Sequence, residues 1–108
     1  TNAKVDLTTT GVTTLYTSPS NARSIIKSLL VSNDAGSAAT ITVTLTNAAS
    51  AVFNLFNVKS IASNTAVQLL SEPLVLLESE ILKVTASDAN ELHVMASILE
   101  ISRSDQNG

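Results

Sequence analysis

Cysteine is absent from this chain of 108 residues, which excludes disulfides, thiolate metal sites and thiol catalysis. Tryptophan is absent too, and the aromatic residues are Tyr16, Phe53 and Phe56 alone. Stacking platforms for single-stranded nucleic acid or for sugar rings therefore have little to build on. Glycine occurs only at Gly11, Gly36 and Gly108, so no phosphate-cradling loop can form. The basic side chains, Lys4, Arg23, Lys27, Lys59, Lys83 and Arg103, are scattered along a chain of net charge −3. No basic stripe exists to neutralise phosphates, so no nucleic-acid partner is expected. There is no N-x-Ser/Thr sequon, and the N-terminal residues lack the zones of a signal peptide.

What remains is aliphatic and small-polar. Apolar residues make up 44% of the chain, chiefly 14 Leu, 10 Val and 7 Ile, enough for the core of one domain. Alongside them stand 13 Thr, 15 Ser and 9 Asn. Charged residues are only 14%, against about 25% in an average globular domain. Sparse charge costs a free monomer solubility, but it is usual where a surface contacts other chains. The composition thus favours an assembly subunit over an enzyme. Residues 35–58 carry no Asp, Glu, Lys or Arg, which is long enough to span a bilayer. The segment is nevertheless interrupted by Thr40, Thr42, Thr44, Thr46, Asn47, Asn54 and Asn57, so it reads as strands and no membrane association is expected.

Strand periodicity is strongest where Ile41, Val43 and Leu45 alternate with Thr40, Thr42, Thr44 and Thr46. Further strands are expected over 12–16, 24–32, 51–58, 66–70, 74–77, 81–86 and 92–101, divided by Ser/Asn/Asp turns. Two of them, 24–32 and 92–101, carry apolar residues on both faces, as in a strand covered on two sides. The expected fold is all-β: an antiparallel sandwich of about eight strands, with a jelly roll among its topologies. Residues 1–10 read as an N-terminal arm, 11–101 as the sandwich and 102–108 as a polar C-terminal tail. Ile41, Val43, Leu45, Val84, Leu92, Val94 and Ile98 are the expected inter-sheet core.

Candidates for chemistry are few. His93 is the only histidine, on a strand beside Leu92 and Val94, and a catalytic or metal role needs partners that the sequence does not supply. Glu72, Glu78 and Glu80 gather at one connection, and Asp88 and Glu91 at the next. Paired carboxylates can do acid–base work or hold Ca²⁺, but at hairpin tips they more often solvate a turn. No G-x-S-x-G elbow accompanies the many serines. We therefore expect no catalytic residue, no metal site and no cofactor.

Leu15-Tyr16-Thr17-Ser18-Pro19, then Ile26-Lys27-Ser28-Leu29-Leu30-Val31-Ser32-Asn33 and Ala38-Ala39-Thr40-Ile41-Thr42-Val43, resemble a group of small tailed-phage virion proteins. The resemblance continues through Glu72-Pro73-Leu74-Val75-Leu76, Leu82-Lys83-Val84-Thr85-Ala86-Ser87-Asp88-Ala89-Asn90 and Leu99-Glu100-Ile101, spanning residues 12–101. One departure lies at a tip that carries glycine in the group and reads Leu77-Glu78-Ser79-Glu80 here. The resemblance implies a structural component of the virion with no catalytic residues. Its preferred form is a capsid decoration (cement) protein on the capsid surface, made in the host cytoplasm. It would contact the major capsid protein or another virion protein and self-associate, with a trimer expected. A neck, tail or fibre component is the first alternative, and a receptor- or carbohydrate-binding module the second. Interface candidates are Lys4, Val5 and Leu7 of the arm, Thr40, Thr42 and Thr44 of the alternating strand, and Phe53 and Phe56.

Overall fold

The computed structural model describes residues 2–102, with side chains through Ile101. Nine strands and no helix occur among these residues: β1 (Asn2–Asp6), β2 (Thr13–Thr17), β3 (Ala22–Asn33), β4 (Ala39–Thr46), β5 (Val52–Ile61), β6 (Thr65–Gln68), β7 (Leu74–Leu76), β8 (Ile81–Ala86) and β9 (Leu92–Ser102). One sheet has the order β1-β9-β3-β6, with β7 also pairing β3; the other has the order β2-β8-β4-β5. All neighbours are antiparallel. Long β3 pairs with β7 near its start and with β6 near its end, so those two short strands act as one broken strand. With β6 and β7 counted together, the pairings are first with last, second with second-last and so inward. That nesting is a jelly roll.

The sheets face each other through a fully aliphatic core. Ile26, Leu29 and Val31 of β3, Ile41 and Val43 of β4, Leu82 and Val84 of β8, and Leu92, Val94, Ala96 and Ile98 of β9 are all buried. Of the expected core, only Leu45 is half-buried, packed against the cluster from the β4–β5 side. The outer face of the four-stranded sheet bears Thr40, Thr42 and Thr44, whereas Thr46, the last of the alternating set, is buried at the strand end. Thr42 lies opposite Thr85, and Thr44 opposite Lys83, all half-buried. Residues 35–58 form strands, not a span.

Turns are built by side chains where glycine is scarce. Asn47 Oδ1 accepts the amides of Ala49 and Ala51, at 3.0 and 2.9 Å, and holds Ser50 at φ 67°. At the β7–β8 tip, Ser79 occupies φ 65° where the resembling group has glycine, and Glu80 Oε1 accepts the Leu77 amide at 2.8 Å. Buried Asn33 ends β3: its Nδ2 donates to the carbonyls of Ser37 and Ile61, at 2.9 and 3.2 Å, while its Oδ1 accepts from the Ala35 amide at 2.9 Å.

Two expectations are corrected. The segment expected to be an arm is the edge strand β1, paired with β9 from Asn2↔Ser97 to Asp6↔His93. Leu7, which follows it, is 1% exposed, and its backbone is tied at both ends, to Leu92 O at 2.9 Å and Asn90 N at 2.8 Å. Only alternate residues of an edge strand need be apolar, and Ala3, Val5 and Leu7 meet that requirement. The second correction concerns β3, whose apolar residues do not have two covered faces. A bulge at Lys27, where the register with β9 shifts, switches the inward set from Ile26 to Leu29 and Val31. The tail expected over 102–108 lies, but for Ser102 at the end of β9, outside the described residues.

Candidate functional site

The outer face of the five-stranded sheet carries the apolar residues that the core does not use. Leu30 (36% exposed) sits opposite Met95 (43%), and Ile25 sits between Leu99 (43%) and Val75 (52%). The cross-strand pair Ser28↔Ser97 separates these two rows. Leu77 and Ile101 extend the patch toward the end of the sheet where Arg23 pairs with Ile101. Alternation places them there. The inward set of β9 is Leu92, Val94, Ala96 and Ile98, so Met95, Leu99 and Ile101 must point away. Rows of aliphatic side chains on a sheet face make a candidate contact surface.

A cleft of about 190 Å³ opens at the β1 side of this face, lined by Lys4, Asp6, Leu30, Ser32, His93 and Met95, among others. Its floor is aliphatic and its rim charged. A cleft of this size has room for a side chain. At its rim His93 Nδ1 lies 2.6 Å from Asp6 Oδ1, and Nε2 lies 3.3 Å from Asp34 Oδ2. The hydrogen bond that the ring makes to Asp6 holds the imidazole pKa above its ordinary value, against a smaller opposing effect of burial, with the Asp34 charge adding to the rise. Both ring nitrogens are engaged by carboxylates, so neither is open to activate a hydroxyl.

A second polar cluster closes one end of the sandwich. Tyr16 Oη from β2 meets Ser24 Oγ of β3 at 2.7 Å and donates to Glu100 of β9, joining the two sheets. Ser18 Oγ contacts Ser24 Oγ at 2.8 Å and donates to the Ala22 carbonyl at 3.2 Å, and both serines are buried. Burial, and then the bond to Glu100, push the Tyr16 hydroxyl up to about 12. The cluster satisfies polar atoms at a sandwich end and presents no open nucleophile.

The eight interface candidates do not come together. Lys4 and Val5 lie on β1, and Leu7 is sequestered in the core. Thr40, Thr42 and Thr44 stand on the opposite sheet, half-buried. Phe53 is exposed on edge strand β5, and Phe56 is half-buried against the core. The carboxylates at the connections serve turns: Glu78 lies 3.7 Å from Arg23, Glu80 caps Leu77, and Glu91 accepts from Ser37 at 2.6 Å. Among the described residues no group of three or more His, Asp or Glu is arranged to hold a metal ion. Sequence reasoning missed Leu30, Val75, Leu77, Met95 and Leu99 as surface residues. The signal was the apolar second face of 24–32 and 92–101, which no other element of the described residues covers.

No protein-family model matches the sequence, and no curated protein matches it. Among solved structures, one chain of the "Structure of infectious bursal disease virus Gt strain" is similar over 94% of this chain, with 12% identity and a TM-score of 0.46. This chain spans 30% of that one. At that identity and score the functional reading rests on the chain's own surface and on its resemblance to small virion proteins.

Proposed function

We propose that this protein is a structural component of a virus particle, a capsid decoration protein of a tailed phage that docks through the apolar outer face of its five-stranded sheet. The observation that carries the reading is the Leu30–Met95 and Leu99–Ile25–Val75 rows, exposed on a sheet whose other face is already packed. The low charge content and the resemblance to small virion proteins support it. Jelly rolls also serve as lectins and cupins, so the fold by itself does not decide the function. The mechanism is passive. Burying the face between neighbouring capsid subunits adds to the work of separating them, and a trimer would present three such faces to one site.

The test adds purified protein to particles stripped of it and measures occupancy by electron microscopy. Met95→Glu and Leu99→Glu place a carboxylate in the proposed contact and should lower affinity roughly tenfold or more, since each 1.4 kcal/mol is tenfold. Their melting temperatures should match that of the native chain, because both side chains are solvent-exposed. Unchanged occupancy in both variants would refute the docking face. Density confined to the neck or tail would replace decoration with the first alternative.

A further inference from the structure

We infer that Asp6, His93 and Asp34 form a proton-dependent latch that fastens strand β1 and the β3–β4 turn to β9. The inference stands on geometry and is independent of the docking reading. His93 lies opposite Asp6 on one side and Ser32 on the other, so its ring sits across β1, β9 and β3. Asp34 lies two residues beyond Ser32, in the turn that leaves β3. The ring therefore ties three elements through its two nitrogens, at 2.6 and 3.3 Å.

Proton count makes this arrangement a switch. An imidazolium carries two N–H groups and can donate to both carboxylates; a neutral imidazole carries one. When the ring loses its proton, one nitrogen turns a lone pair toward a carboxylate, and one of the two ties must open. Two carboxylates are then left without the cation between them. The other charged groups nearby do not replace it. Lys4 projects two residues away on β1, also lining the cleft. Glu91, two residues before His93 on the chain, is engaged by the Ser37 hydroxyl and adds a further negative charge. Ser32, on β3, is uncharged.

β1 is the element that such a latch can control. It pairs with β9 alone, and its one fully buried anchor is Leu7. The connector that follows makes local hydrogen bonds, from Thr8 N to Asp6 O at 3.0 Å and from Gly11 N to Thr9 Oγ1 at 3.3 Å. The sign follows from the raised titration of His93: the latch is closed below the ordinary 6.5 and opens as pH rises through the higher folded-state value.

Amide exchange at Leu7, whose N–H is bonded to Leu92 O, reads the latch directly. Exchange is followed by NMR, corrected for intrinsic base catalysis and normalised to the buried strand amide of Val84. Protection at Leu7 should fall roughly two- to fivefold between about pH 6 and about pH 8.5, the range of partly exposed ion pairs. His93→Gln should abolish the pH response. Asp34→Asn, which keeps the β1–β9 contact, should shrink it and move the imidazole titration back toward 6.5. A flat profile in the native chain, or an equal fall in His93→Gln, would overturn the latch. So would an unshifted imidazole in Asp34→Asn.

Discussion

Leu7→Ala tests whether the first residues belong to the domain. The side chain is 1% exposed at the mouth of the sandwich, and the substitution removes three carbons from that site. At about 0.8 kcal/mol per buried methylene, transfer alone costs about 2.4 kcal/mol. The cavity left behind would add to this in a rigid core, where Leu→Ala costs about 2.7–5 kcal/mol. Here the site borders an edge strand that can relax into the space, so the expected loss is about 2–3 kcal/mol. That is a large share of the roughly 5–15 kcal/mol that holds a domain together. Urea denaturation followed by far-UV circular dichroism would show a lower midpoint with an unchanged slope. Thr8→Ala, one residue on and exposed, should cost less than about 0.5 kcal/mol. If Leu7→Ala matched that control, β1 would be a loosely attached arm and the placement of Leu7 in the core would be wrong.

Other expectations follow from particular contacts. Ser79, at the β7–β8 tip, and Val58, at the irregular pairing within β5, sit at φ 65° and 54°, where an L side chain costs about 1–2 kcal/mol, so Ser79→Gly and Val58→Asn should raise the melting temperature; a decrease in both would show that these positions are unstrained. Asn33→Ala would strip donors from the Ile61 and Ser37 carbonyls and should cost about 2–3 kcal/mol in denaturant melts, while a loss below about 0.5 would show those carbonyls to be hydrated. Tyr16 is the only tyrosine, so ultraviolet absorbance reads its ionisation without ambiguity. Because its value is raised to about 12, its contribution to stability is whole below 10 and is lost as pH climbs toward 12. Ionisation at an ordinary 10 would mean that the hydroxyl is neither buried nor bonded to Glu100.

The strands were legible because alternation is a local property. Thr40–Thr46 and Ile81–Ala86 declare their inner faces without help from the rest of the chain, and those faces are where the structure puts them. β1 was not legible, because three apolar residues in a Thr-rich segment become a strand only when the β9 edge is there to receive them. The bulge at Lys27 was equally hidden. It shifts the inward set by one residue, so period-2 reasoning groups Ile26 with Leu30, and Ile25 with Leu29 and Val31, whereas Ile26, Leu29 and Val31 face in and Ile25 and Leu30 face out. The His93 cluster joins positions 6, 34 and 93, which no spacing rule connects.

The threonines on the outer face of the four-stranded sheet have a consequence for the proposed docking. If the aliphatic face is the one that docks, Thr42, Thr44 and Thr85 point outward, with Lys83 among them. The outermost layer is then a hydrated carpet of hydroxyls bearing little charge. Adhesion between two such coats changes little with ionic strength, since few charges are present for salt to screen. A particle covered in this way should stay dispersed through swings in salinity that would clump a coat held apart by net charge alone.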